Sequence, residues 1–130
     1  MNTKPAILVV DDDPDFLEQQ KLMLENAGYE AWTAGGQKEA EALLEERQPD
    51  AAVVDLMMEH TDGGFALCYR IKKQNPTTPV IIVTAIASET GFDFDAATDE
   101  EKGWVKADAM LDKPVRFEQL KKELDRLLNH

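Results

Sequence analysis

Residues 6–14 read Ala-Ile-Leu-Val-Val-Asp-Asp-Asp-Pro, and this stretch decides the fold. Five successive apolar residues without alternation are typical of a strand that is buried on both faces of a parallel sheet. Asp13 followed by Pro14 is a start signal for a helix, because aspartate accepts from free N–H groups and proline fits the first helical turn. A buried strand that leads directly into a helix predicts a β-α-β unit.

The same alternation of apolar runs and helical patterns continues along the chain. Continuous apolar runs predict strands at residues 51–54 and 80–83, and weaker candidates lie at 30–33 and 109–111. Helical spacing predicts helices between the strands, and the clearest stripe, on the last helix, is Phe117, Leu120, Leu124, Leu127 and Leu128. This order predicts an α/β fold, a doubly wound five-stranded parallel sheet with helices on both faces.

Composition and charge restrict the classes of function. The chain has 130 residues, of which 26 are acidic and 14 basic, and its formal net charge is −12. That length fits one domain, and 43% hydrophobic residues suffice to build a core. The negative charge argues against binding DNA or RNA through phosphates and against docking on anionic lipid, since both need a basic surface.

The cysteine count and the longest apolar run indicate where the protein works. Cys68 is the single cysteine, which excludes an internal disulfide and fits a reducing compartment. The longest uncharged apolar-rich run, residues 77–88, is far shorter than the roughly 20 residues of a membrane span. We therefore expect a cytoplasmic protein with no membrane partner.

Polar side chains cluster where the predicted strands end. Asp11 and Asp12 follow the first strand, Asp55 follows the third, Thr84 ends the fourth, and Lys113 lies just past the fifth. Each residue alone has an ordinary structural reading, but together they are predicted to meet at the carboxyl edge of the sheet, where function gathers in such folds. Clustered carboxylates favour Mg²⁺, and an aspartate can attack phosphorus to form an acyl phosphate. A lysine and a hydroxyl suit pairing with phosphoryl oxygens.

Four ordered motifs carry a resemblance to a known family. They are residues 7–14, residues 55–58 with Asp62-Gly63, residues 83–85, and residues 107–114. Together they resemble the receiver domain of two-component response regulators over essentially the whole chain. The resemblance implies a flavodoxin-like sheet of strand order 2-1-3-4-5 and a single receiver domain over residues 1–130, stand-alone and similar to chemotaxis regulators, with no output domain.

The resemblance also implies a role for each site residue. Asp55 would be the phosphoacceptor, Thr84 the switch hydroxyl and Lys113 the phosphate-pairing lysine. Asp11 and Asp12 would form the acidic pocket, and Asp12 and Asp55 would bind Mg²⁺ directly together with the backbone carbonyl of residue 57, Met57.

In the family, the partner that supplies the phosphoryl group is a sensor histidine kinase or a phosphotransfer protein. Phosphorylation would change the surface of the fourth helix, fifth strand and fifth helix and so control a downstream protein. No nucleic acid is expected as a partner. The chain would not be an enzyme, apart from its own Mg²⁺-dependent self-phosphorylation and autodephosphorylation.

Several positions depart from the family's usual pattern. Glu59 stands where proline is usual, Lys106 replaces the usual glycine, and Met110 replaces the usual tyrosine or phenylalanine. The segment at 88–104 is longer than the family's usual one and combines aromatic with acidic residues, which fits either a solvated loop or a partner-specific surface.

Two apolar residues bear on the lifetime of the phosphoryl group. In receiver domains, the side chains two residues after the acceptor and two after the switch threonine flank the approach of water. Here these are Met57 and Ile86, and neither accepts a hydrogen bond from water. The pattern predicts slow autodephosphorylation.

Two alternatives stay open beside a phosphorylated receiver. A degenerate receiver would act as a phosphorylation-independent binding scaffold, for which Met110 is the main support. A phosphatase of the haloacid dehalogenase type also places acids after its first strand, but it needs an Asp-x-Asp-x-Thr/Val pattern, and Asp15 stands at its last position. Phosphotransfer from a phosphohistidine donor would separate the three readings.

Overall fold

The computed structural model describes residues 4–55, 63–84, 108–112 and 115–128, and only the backbone of residues 63–65, 84 and 112. The strands in these ranges are β1 (Ala6–Val10), β2 (Glu30–Ala34), β3 (Ala51–Asp55), β4 (Val80–Thr84) and β5 (Ala109–Asp112). The helices are α1 (Pro14–Asn26), α2 (Gln37–Glu46), α3 (Gly63–Gln74) and α4 (Phe117–Leu128). All five predicted strands are present, and most extend one residue beyond the predicted run.

The strands form one parallel sheet of order β2-β1-β3-β4-β5. This confirms the predicted doubly wound architecture. The register pairs Val10 of β1 with Val54 of β3, and Asp55 with Val83 of β4. Because all strands run in the same direction, their carboxyl ends lie along one edge of the sheet.

Two hydrophobic cores cover the two faces of the sheet. Leu8 and Val10 of β1 point into the core that contains the buried residues of α2 and α3. Ile7 and Val9 point into the core built with α1 and α4. Both faces of β1 are therefore buried, which is the reason its sequence is continuously apolar rather than alternating.

The start of α1 is fixed by the residues that the sequence indicates, and its end by a glycine. The Asp13 side chain caps the helix by accepting from the Asp15 N–H at 3.0 Å, and Pro14 is the first helical residue. At the other end, Gly28 has φ +96°, and the Tyr29 N–H donates to the Leu24 carbonyl oxygen at 2.9 Å. This is the pattern of a Schellman motif, in which glycine takes the left-handed conformation.

Residues 85–107 lie outside the described ranges, and the helix predicted between the fourth and fifth strands falls there. The last helix, fifth in the predicted order, is therefore numbered α4. Among the described residues, no helix is both long and apolar enough to cross a membrane.

Candidate functional site

Three carboxylates meet at the carboxyl edge of the sheet, beside the ends of β1 and β3. Asp11 directly follows β1, Asp55 is the last residue of β3, and these two strands are neighbours. Asp11 is fully buried and Asp55 is only 2% exposed, whereas Asp12 faces solvent. One carboxylate oxygen from each of the three lies within 4.8 Å of the others. The predicted acidic cluster is therefore present.

The backbone around Asp11 holds its carboxylate in a defined orientation. The Asp11 N–H donates to the Ala34 carbonyl oxygen at the end of β2, at 3.1 Å. Its Oδ1 atom accepts from the Asp13 N–H at 2.9 Å. This second contact was not predicted, although an aspartate that accepts from the residue two positions later is a common local motif. The amide that precedes α1 thus helps to orient the buried acid.

The donor set fits a hard divalent cation. Two oxygens on opposite sides of one Mg²⁺ are about 4 Å apart, and those on adjacent positions are closer. The three oxygens, all within 4.8 Å of one another, span a comparable distance. Two of the three carboxylates are buried, so bringing their charges together costs free energy unless a cation neutralises them. Exposed Asp12 leaves the solvent side open for the waters that Mg²⁺ retains.

The remaining predicted site residues are described in part or not at all. The backbone of Thr84 ends β4, one residue beyond Val83, which pairs with Asp55. Lys113 and Met57 lie outside the described residues, so their predicted roles stay predictions.

The Met110 side chain is half-buried and packs against the core that contains α2 and α3. Its position in β5 pairs with Ile82. Whether it replaces the usual aromatic partner of the switch threonine stays a prediction, because the Thr84 side chain is not described.

Two described residues outside the predicted site make an unpredicted contact with each other. Asp108 belongs to the motif at 107–114, yet no role follows from the sequence for it, and Lys72 lies in the last turn of α3. The Lys72 ammonium contacts the Asp108 carboxylate at 2.6 Å. They are separated by 36 residues, so no local spacing signal pairs them.

Comparisons with known proteins agree with the fold. A family model, the response regulator receiver domain, matches residues 7–125. The DNA-binding dual master transcriptional regulator RpaA of Synechocystis is 34% identical over 100 residues, which cover 74% of this chain and 41% of that protein. The heme response regulator HssR of Staphylococcus aureus is 36% identical over 114 residues, which cover 87% of this chain and 46% of that protein. The chain thus spans less than half the length of these relatives.

A solved structure extends the comparison to the fold. The response regulator TrrA of Thermotoga maritima, in complex with Mg²⁺ and BeF, superposes with a TM-score of 0.76 at 28% identity. The alignment covers 97% of this chain and 100% of that one. The described strand order is the one expected of a chain that shares this fold.

Proposed function

Because this chain belongs to the response regulator receiver domain family, we propose that it is a phosphorylation-controlled signalling module whose phosphoacceptor is Asp55. One observation carries the assignment. Asp55 is nearly buried at the end of β3, and one of its carboxylate oxygens lies within 4.8 Å of oxygens from Asp11 and Asp12. A carboxylate held in such a cluster reacts with phosphorus only when neighbouring negative charge is neutralised.

The three aspartates would have two roles at this site, binding of the cation and attack on phosphorus. Asp11 and Asp12 would hold Mg²⁺ together with Asp55 and the backbone carbonyl of Met57. When bound, the cation supplies neutralisation of the negative charge between carboxylate and phosphoryl group. An Asp55 oxygen forms the new P–O bond while the P–N bond of a phosphohistidine breaks, and the leaving imidazole takes up a proton.

Thr84 and Lys113 would act on the phosphoryl oxygens once the acyl phosphate has formed. The Thr84 hydroxyl donates a hydrogen bond, and the Lys113 ammonium pairs with the negative charge. These new contacts would shift the loop after β4 and the surface near β5 and α4, and so change the affinity for a downstream partner. Chemistry on the chain itself is confined to Mg²⁺-dependent self-phosphorylation and autodephosphorylation.

The partners follow from the same chemistry. The phosphodonor is a sensor histidine kinase or a phosphotransfer protein, and the target is a protein. RpaA is described as DNA-binding, but this chain carries a formal net charge of −12, which disfavours contact with nucleic acid phosphates. We expect these partners, and this chain, in the cytoplasm.

Labelling with a small phosphodonor tests the assignment. The wild type, Asp55→Asn and Asp15→Asn are incubated with radiolabelled acetyl phosphate, with Mg²⁺ or with EDTA. Asp15→Asn is the matched control, because it makes the same chemical change at an exposed residue outside the cluster. We expect acid-labile labelling of the wild type and the control only with Mg²⁺, and none of Asp55→Asn.

Two outcomes would contradict the proposal in different ways. Normal labelling of Asp55→Asn would show that another residue is the acceptor. Absence of labelling in the wild type, also with a phosphohistidine donor, would favour the phosphorylation-independent scaffold.

A further inference from the structure

Asp108 connects three elements at the amino ends of β4 and β5. Its Oδ2 atom accepts from the Val80 backbone N–H at 2.8 Å and from the Lys72 ammonium at 2.6 Å. Its own backbone N–H donates to the Val80 carbonyl oxygen at 2.8 Å. One aspartate therefore holds the first residue of β4 through two hydrogen bonds and the last turn of α3 through an ion pair.

The ion pair is partly shielded from water. The Lys72 and Asp108 side chains are 19% and 33% exposed. Both charges interact electrostatically with the buried Cys68 thiol, and Cys68 precedes Lys72 by one helical turn. Salt and solvent screen such a pair less than one on the open surface. Direct contact between the ammonium and the carboxylate makes this a charge-assisted hydrogen bond, which is stronger than a neutral one.

The strand that follows Asp108 is short, so a contact beside it adds to the packing that fixes its register. β5 has four residues, and among the described strands it lies at the edge of the sheet and pairs with β4 alone. β4 and β5 are parallel, so their alignment is not set by a two-residue hairpin turn. A slip by one residue would move Met110 to the face that Ala109 and Leu111 now occupy.

We propose that Asp108, held by Lys72, is a positioning residue that fixes the register of β5 against β4 and thereby the position of Lys113 relative to the phosphoryl group. Lys113 directly follows Asp112, whose backbone pairs with Thr84. A one-residue slip displaces the end of a strand by ~3.3 Å. Such a displacement would break the proposed hydrogen bond from Lys113 to a phosphoryl oxygen. The inference rests on the proposed function, in which Lys113 pairs with the phosphoryl oxygens.

The test separates binding of the cation from binding of a phosphoryl mimic. Asp108→Ala and Lys72→Met are compared with Lys73→Met, which removes the neighbouring exposed lysine and leaves Asp108 paired. After circular dichroism has confirmed folding, calorimetry measures the affinity for Mg²⁺ alone and for beryllofluoride with Mg²⁺.

In the proposed function the carboxylates would hold the cation, whereas Lys113 would pair with the phosphoryl group that beryllofluoride mimics. We therefore expect both test variants to keep the wild-type affinity for Mg²⁺ and to bind beryllofluoride about tenfold more weakly. Lys73→Met should match the wild type for both ligands. Combining Lys113→Ala with Asp108→Ala should weaken beryllofluoride binding no further than Lys113→Ala alone, because the two changes remove the same contact.

Nuclear Overhauser effects between the backbones of Ile82 and Met110 measure the register directly. These effects should weaken in Lys72→Met and in Asp108→Asn. The asparagine variant keeps an acceptor for the Val80 N–H, so it serves as the folded variant if Asp108→Ala does not fold. Wild-type register and beryllofluoride affinity in the folded variants would overturn the inference. A wild type that binds Mg²⁺ but no beryllofluoride would contradict the proposed function instead, and the register measurement alone would then decide the role of Asp108.

Discussion

The Tyr29 hydroxyl donates a hydrogen bond to Asp125 and so joins the residue before β2 to the C-terminal part of α4. Tyr29 is fully buried, and Asp125 also accepts from the Lys121 ammonium at 2.7 Å. Burial raises the pKa of Tyr29 above its ordinary value. The hydrogen bond to Asp125 and the negative charge of Asp125 raise this pKa further. The hydroxyl therefore remains protonated, and keeps donating, throughout the neutral pH range.

We expect Tyr29→Phe to lower the free energy of unfolding by about 1–2 kcal/mol, because the change removes a buried donor and leaves Asp125 with one partner fewer. Urea unfolding at pH 7 measures the difference. Tyr69→Phe is the matched control, since Tyr69 is 56% exposed, and it should change the stability by less than about 0.5 kcal/mol. Equal effects of the two changes would contradict the importance of this contact.

Replacing Gln20 should stabilise the protein. Gln20 is 2% exposed among the apolar residues of α1, and its Oε1 atom has no hydrogen-bond partner within the described ranges. Burial of an unpaired carbonyl oxygen costs about 1–3 kcal/mol, so Gln20→Met is expected to raise the free energy of unfolding by about 1 kcal/mol. Chemical denaturation measures it, with the exposed neighbour Gln19→Met as the control that should change little. A loss of stability in Gln20→Met alone would show that the amide has a partner in solution.

Magnesium should stabilise the folded protein through the acidic cluster. At a concentration tenfold above its dissociation constant, a ligand that binds only the folded state adds about 1.4 kcal/mol. Asp55→Asn should be more heat-stable than the wild type without metal, because it removes like-charge repulsion from Asp11 and Asp12, and should lose most of the shift caused by Mg²⁺. Thermal unfolding with Mg²⁺ or EDTA measures both effects, and Asp15→Asn should keep the full shift. A wild-type melting temperature that does not change when Mg²⁺ is added would contradict the proposed metal site.

Stability should decline in alkali because of Cys68. Burial raises the pKa of its thiol from 9.0 to about 12, a rise that nearby Lys72 opposes and Asp108 reinforces. Between these two pH values the unfolded thiol loses its proton while the folded one keeps it, so the contribution to stability falls by up to ~1.4 kcal/mol per pH unit. Urea unfolding from pH 8 to 11 should therefore show a shallower decline for Cys68→Ala than for the wild type. The raised pKa of Tyr29 acts in the same direction and remains in both proteins, so parallel curves would exclude a contribution from Cys68.

We expect the phosphoryl group on the proposed acceptor, Asp55, to be long-lived. The family resemblance predicts that Met57 and Ile86 flank the approach of water, and neither side chain offers a strong hydrogen-bond acceptor that would orient the water. We expect the pair of changes Met57→Asn and Ile86→Glu to accelerate loss of label several-fold, measured as decay of labelled protein after removal of the donor. Met58→Asn serves as a polar replacement one residue away. An unchanged decay rate in the double variant would show that these positions do not control the lifetime.

The sequence by itself determined the architecture and the place of the site. Continuous apolar runs are local signals for strands buried on both faces, and the limits of α1 are encoded by Asp13, Pro14 and Gly28. Because parallel strands end at one edge, the positions of Asp11 and Asp55 along the chain already predict that they meet.

Only the tertiary structure decided how individual polar residues are used. Asp11 and Asp12 are adjacent and chemically identical, yet one is buried and the other exposed, because the chain path after β1 turns them in different directions. A glutamine on a helix is ordinarily solvated, but packing places Gln20 in the core. Asp108 contacts Val80 and Lys72 across separations of 28 and 36 residues. Such contacts exist only after the sheet and α3 have assembled, so the physical information that defines them lies in packing rather than in local sequence.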